Sequence, residues 1–172
     1  NMLARVTEKA IYWNQFGFIK GRNFQDFILT TSESFNLLWK KTRGGNVAIK
    51  LDIQKAFDMI DWGFIKQILQ RFGFSGVFIQ WISTLMEFSR ISILVNGSSE
   101  GYFSFSRGVR QGDPLPTIIF AFAEDYLSRS LTGMVGNGKL STIKVARGIS
   151  APSHLFFVDD IVIFTQGDRK KH

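Results

Sequence analysis

Three aspartates carry the first chemical suggestion in this sequence. Asp159 and Asp160 stand side by side in "HLFFVDDIVIF", residues 154–164, a run otherwise apolar enough to form a buried strand. Aspartate is rarely buried, and two adjacent carboxylates repel each other. A third, Asp52, lies in "NVAIKLDI", where Val47, Ile49, Leu51 and Ile53 alternate with Ala48, Lys50 and Asp52 in the period of a β-strand. That alternation turns Asp52 away from the four apolar residues. In the second run it groups Phe157 with Asp159, and Val158 with Asp160. A sheet that sets the two strands side by side brings Asp52 and Asp159 together on an open face, with Asp159 as primary ligand and Asp160 more peripheral. Carboxylates this close, without a counter-charge, drive one pKa upward, and a divalent cation removes the conflict. A few hard oxygen ligands with positions left open for phosphates suit Mg²⁺. Two such ions about 4 Å apart can activate an attacking hydroxyl and stabilise a pyrophosphate leaving group. The plainer reading, that Asp159 and Asp160 are turn residues, accounts for the pair taken alone.

The rest of the chain must position these residues. Phe27, Ile28, Thr31, Phe35, Leu38 and Trp39 recur at helical spacing between Phe24 and Lys41, after the breakers Gly17 and Gly21. Asp61 is a candidate N-cap for a helix carrying Ile65, Ile68, Leu69 and Phe72. A second helix follows "GFSG", with Phe78, Trp81, Ile82, Leu85 and Met86 on one side. "RISILVNGSSEGYFSF" reads as a hairpin turning at Asn96-Gly97. "RGVRQGDPL" is a loop, and Ile119, Phe122, Ala123, Tyr126 and Leu127 stripe a third helix. "TGMVGNGKLS" reads as loop and "TIKVARG" as a short strand before the aspartate hairpin. This order predicts an α/β (α+β) fold: a split βαβ antiparallel sheet with helices on one face.

Composition narrows the partners. Of 172 residues, 45% are apolar, enough for a core, and the net charge of +7 leans toward polyanions, nucleic acid first. Without cysteine there is no disulfide framework and no thiolate zinc site. No run reaches the length of a membrane span. We read the chain as intracellular, nuclear or cytoplasmic, and not secreted. "NMLARVTEKAIYWNQ" reads as the tail of a helix entered midway and "TQGDRKKH" stops just past a strand, so a piece of a longer protein is expected.

Four motifs then occur in order: "QFGFIKGR", "LDIQKAFDMIDW", "GVRQGDPLP" and "FVDD". Together, over roughly Gln15 to Phe164, they resemble the reverse transcriptases of non-long-terminal-repeat (LINE-type) retrotransposons, with group II intron enzymes as related forms. The resemblance implies a polymerase palm, with residues 1–45 as partial fingers and 46–172 as palm carrying a fingers insertion at about 64–107. On this reading neither a thumb nor an endonuclease is expected within these residues. It makes Asp52, Asp159 and Asp160 the catalytic metal ligands for two Mg²⁺ ions, with Mn²⁺ as an alternative. Phe57 matches the aromatic gate beside the sugar 2′ position, and the backbone from Ile53 to Ala56 would cradle the triphosphate. Gln111 and Gly112 match the motif that packs against nucleotide and template, and Arg22 lies where the fingers present positive charge. Asp58 and Asp113 also match family positions, with capping or a loop salt bridge as the alternative. The implied partners are an RNA template, a DNA primer and deoxynucleoside triphosphates, with no membrane; the oligomeric state is left open. One departure stands out: Pro116-Thr117 replaces the usual Ser-Pro after Leu115, removing an amide and a hydroxyl near a helix start, where proline is tolerated. Two other readings are carried: an inactive remnant that only binds nucleic acid, and an RNA-binding sheet domain with stacking aromatics. The open-face carboxylates oppose the latter by repelling phosphates.

Overall fold

The computed structural model describes residues 2–42, 44–110, 114–143 and 151–167. They divide into two compact units, residues 1–54 with 121–172, and residues 55–120.

The first unit is built on a three-stranded antiparallel sheet in the order β1-β5-β4, from β1 (Asn46–Asp52), β4 (His154–Phe157) and β5 (Asp160–Gln166). The central strand is the most apolar, and Ile161, Val162, Ile163 and Phe164 are all buried. Each such side chain contributes about 1.5–3 kcal/mol by leaving water. On one face Leu155, Val162 and Phe164 pack with Phe16 and Phe27, the latter from α2 (Phe24–Leu38). On the other, Phe156, Ile161 and Ile163 pack with Leu131 of α6 (Pro114–Gly136) and with Leu140. Helices therefore cover both faces of the antiparallel sheet, where the sequence had suggested one.

Burial in β1 runs against the simplest reading of its alternation. Ala48 packs on the core, whereas Val47, Ile49 and Leu51 are 41%, 42% and 44% exposed. An edge strand covered on one side only cannot bury both rows. The segment Asn14–Phe16 extends the sheet on the opposite side: Phe16 N–H donates to the Phe156 carbonyl, and Phe156 N–H to the Asn14 carbonyl, both at 2.9 Å. Ahead of it lies α1 (Met2–Ala10), helical as the sequence reading expected.

The second unit holds α3 (Ala56–Met59), α4 (Trp62–Arg71), α5 (Gly76–Glu87), the β2–β3 hairpin (Arg90–Val95 and Ser98–Ser104) and the first turns of α6. Asp61 caps α4 as expected, its Oδ1 accepting from Phe64 N–H at 2.8 Å. In α5 the buried row is Ile79, Ile82, Ser83 and Met86. Trp81 and Leu85, expected inside, are 64% and 56% exposed. Two apolar stripes overlap on this helix; they share Ile82 and Met86, and packing turned the buried row toward Ile79 and Ser83. The hairpin turns at Asn96-Gly97, both with positive φ, as a two-residue antiparallel connection requires. An apolar cavity of about 310 Å³ is lined by Trp62, Ile82, Met86, Val109, Leu115 and Ile119.

Two expectations need correction. Helix α6 continues to Gly136 through residues read as loop, because Leu131 reaches the core and its packing outweighs the cost of glycine, about 1 kcal/mol per residue. Thr142 and Ile143, expected to open a strand, are in none, and the remainder of that segment lies outside the described residues. Pro116 falls in the first turn of α6, where a backbone N–H has no helical partner to lose. Among the described residues no helix is long and apolar enough to cross a membrane.

Candidate active site

The sheet brings the three aspartates to one end. β1 and β5 pair with Asp52 directly opposite Asp160, and Ile53 N–H donates to the Asp159 carbonyl at 3.1 Å. Directly opposed residues of an antiparallel pair have Cβ atoms about 4.5–5.5 Å apart. The alternation argument had paired Asp52 with Asp159 instead. The β4–β5 connection is a two-residue turn, Val158-Asp159, so Asp159 leaves the strand alternation and Asp160 resumes it.

A positive charge already answers the repulsion expected here. Lys50, two residues before Asp52 on the same face, places Nζ 2.8 Å from Asp160 Oδ1. The hydrogen bond and charge of Asp160 raise the Lys50 pKa, with Asp52 and Asp159 adding smaller contributions. The three carboxylates supply the hard oxygen donors a divalent cation needs. Among the described residues, however, no three acidic or imidazole side chains converge on a single point. The donor chemistry fits a metal, and the carboxylates would have to gather around it.

Beneath the turn lies a buried polar layer that the sequence reading missed. Gln15 and Glu124 are 0% and 2% exposed, and Gln15 Nε2 donates to Glu124 Oε2. Gln15 Oε1 accepts from Gly17 N–H at 3.1 Å, while Glu124 Oε1 has no hydrogen-bond partner among the described residues. Burial pushes the Glu124 carboxyl well above its usual range, opposed by the Gln15 hydrogen bond and reinforced by the Asp159 charge. The adjacent Asp125, 0% exposed, accepts from Tyr12 N–H at 2.7 Å and from Arg129 Nε at 2.6 Å. Two neighbouring acids inside the apolar run "IIFAFAEDYL" are the same signal that drew attention to Asp159 and Asp160.

His154, which showed no partner in the sequence, lies between two hydroxyls. Ser128 Oγ is 2.9 Å from Nε2, and Ser153 Oγ is 2.8 Å from Nδ1. Ser128 also donates to Asn14 Oδ1 at 3.0 Å, which leaves its oxygen to accept from a neutral Nε2–H. Burial holds the His154 pKa down to about 4.

The Arg22 guanidinium donates to the carbonyls of Tyr12, Gln15 (2.6 Å) and Ile11 (3.0 Å), pinning the loop after α1. Burial lowers its pKa, with Asp125 opposing. The expectation had aimed this charge at triphosphate or template. Phe57 lies in the second unit, 9% exposed and stacked on Phe120 at 4.3 Å, rather than presented at an open surface. Asp58, beside it in α3, is exposed. Gln111, Gly112 and Asp113 lie outside the described residues.

Comparison with known proteins fits this arrangement. The family described as reverse transcriptase (RNA-dependent DNA polymerase) matches residues 1–172. The Pol polyprotein of the R2DM type-2 retrotransposable element of Drosophila melanogaster is 33% identical over 116 residues, covering 67% of this chain and 10% of its own length. The Pol polyprotein of the R2 type-1 retrotransposable element of Popillia japonica is 33% identical over 172 residues, covering 97% of this chain and 23% of its own length. The chain thus spans a quarter or less of these relatives. Among solved structures, telomerase from Candida albicans in complex with a fragment of telomeric RNA superposes with a TM-score of 0.66 at 12% identity, covering 95% of this chain and 29% of that one. Apo telomerase from Candida tropicalis gives 0.65 at 14% identity, covering 95% and 32%. At such identities the likeness speaks for the fold, a polymerase palm type, while sequence carries the family, which generally uses divalent metal ions. The chain belongs to the reverse transcriptase family, with relatives among the Pol polyproteins of non-long-terminal-repeat retrotransposons.

Proposed function

We propose that a polypeptide carrying this sequence is an RNA-directed DNA polymerase. The primer 3′-hydroxyl oxygen forms a bond to the α-phosphorus of a deoxynucleoside triphosphate as the α–β phosphoanhydride bond breaks. Pyrophosphate leaves, and the hydroxyl proton passes to solvent or a nearby base. The observation that carries this reading is Asp52 opposite Asp160 with Asp159 in the adjoining turn, in a chain of this family. Asp52, Asp159 and Asp160 would hold two Mg²⁺ ions, with Mn²⁺ as a substitute. When bound, such ions neutralise charge on the triphosphate and lower the pKa of the attacking hydroxyl. The chain's own part is placement: paired strands fix two of the acids, and Lys50 balances their charge.

Residues 1–45 would serve as part of the fingers and residues 46–172 as palm. Phe57 would exclude the ribose 2′-hydroxyl, and Gln111 and Gly112 would pack against nucleotide and template. A basic chain of this family supports an RNA template and a DNA primer as partners.

The competing reading is a polypeptide that binds nucleic acid without turnover, and the departure at Pro116-Thr117 is the feature that favours it. Mg²⁺-dependent incorporation on poly(A)–oligo(dT), measured with the full-length polypeptide, separates the two. Asp52→Asn and Asp159→Asn should each abolish incorporation, since each removes a negative oxygen from the metals. Asp160→Asn should cost the same or less. Near-normal synthesis by Asp52→Asn would sink the assignment.

A further inference from the structure

The turn that carries Asp159 is held in a conformation its own residues disfavour. Val158, β-branched, has φ of 56°, the left-handed region that such side chains rarely adopt. A strained residue persists where its surroundings over-determine it, and such sites cluster at functional centres.

What surrounds the turn is Gly17. A Cβ added to this buried residue would lie 2.7 Å from Val158 N, 3.3 Å from Val158 Cγ2 and 3.4 Å from Val158 Cα. The clash is with backbone, so rotating a side chain does not relieve it. The φ of Gly17 lies outside the left-handed region, so space rather than conformational freedom requires glycine here. Gly17 is in turn fixed from three directions. Its N–H donates to Gln15 Oε1, Gln15 Nε2 binds Glu124 on α6, and the preceding residue Phe16 is bonded to Phe156 of β4. On its far side the turn is tied to the residue that follows β1, Ile53, whose N–H donates to the Asp159 carbonyl.

We propose that Gly17, anchored through Gln15 to Glu124, is a positioning element that presses the Val158-Asp159 turn into place and so sets the separation of the Asp159 and Asp160 carboxylates from Asp52. None of these three residues touches substrate in this assignment; each acts through the turn. The idea rests on the metal-binding reading above, and the test separates the two.

The measurement is paramagnetic broadening of backbone amide signals by Mn²⁺ in residues 1–172, with circular dichroism to confirm folding. In the unsubstituted chain the amides of Asp52, Ile53, Asp159 and Asp160 should broaden at lower Mn²⁺ than the rest. Asp159→Asn should remove that preference; if it does not, the metal-site reading fails whatever Gly17 does. Given that control, Gly17→Ala should raise the Mn²⁺ concentration needed by roughly tenfold, and Gln15→Met, close in volume but without the hydrogen bonds, by severalfold. Val158→Gly added to Gly17→Ala should recover part of the loss, because glycine lets the turn relocate. Unchanged Mn²⁺ response in either folded single variant overturns the proposal.

Should both variants fail to fold, native-state hydrogen exchange on the unsubstituted chain decides. The amides of Gly17 and Ile53, on opposite sides of the turn, should open in one cooperative unit. Exchange of Ile53 while Gly17 stays protected would overturn the coupling.

Discussion

Replacing Glu124 with glutamine should sharpen a pH dependence of folding that the unsubstituted chain offsets in part. His154 is 1% exposed, and burial holds its pKa down to about 4 from an ordinary 6.5. As pH falls below 6.5 the unfolded chain takes up a proton that the folded chain refuses until about pH 4. Stability therefore drops by about 1.4 kcal/mol per pH unit across that window, and by at most about 3.5 kcal/mol in all. Glu124 works in the opposite direction. Its pKa is raised above the ordinary 4.5, so as pH climbs past that value the unfolded carboxyl loses a proton that the folded one keeps, and stability falls. Above pH 4.5 this slope opposes that of His154 for as long as the folded carboxyl keeps its proton. Glu124→Gln keeps an acceptor for Gln15 and removes one titration, leaving the histidine slope alone. Urea unfolding at several pH values, comparing Glu124→Gln with the Glu124→Gln/His154→Gln double variant, isolates it. The stability difference between the two should change by about 2–3 kcal/mol from pH 6.5 to 4.5. Parallel curves would refute the claim that His154 is held neutral by burial.

Arg22→Ala leaves three carbonyls without their donor and should lower stability by about 1–3 kcal/mol in chemical denaturation. An unchanged midpoint, with a raised KM for deoxynucleotides, would return Arg22 to the triphosphate. Phe57→Val should admit ribonucleotides far better and also lower the melting temperature, since the ring stacks on Phe120. If competition between dGTP and GTP is unaltered while stability falls, Phe57 is a core aromatic and no gate. Residues 1–172 should bind nucleic acid weakly, with little sequence preference and affinity falling steeply as salt rises, and should show little processive synthesis. Tight binding indifferent to salt, or robust primer extension, would contradict this.

Much of the fold was legible because its signals are local. The period of two in Val47–Ile53, the capping Asp61, the Asn96-Gly97 turn and the acidic pair within an apolar run each depend on nearest neighbours in the chain. They placed β1, α4, the β2–β3 hairpin and the β4–β5 hairpin correctly. The α5 face was half right, with Ile82 and Met86 buried but Trp81 and Leu85 exposed where two apolar stripes competed, and the end of α6 failed where Leu131 found a core that no local window contains.

The candidate site divides the same way. That Asp52, Asp159 and Asp160 belong to one constellation followed from their types, their flanking strands and the order of the motifs. Which aspartate faces Asp52 did not, because a two-residue turn resets the alternation and only the pairing of β1 with β5 reveals it. The sequence could mark Lys50 as a strand residue but not as the partner of Asp160, 110 positions away. Gln15 and Gly17 stood out only as members of the first motif, with no role assigned, and Glu124 only as an acidic helix position. Their contacts join segments more than a hundred residues apart, and pairings at that distance are set by how the core packs rather than by any local preference of the chain.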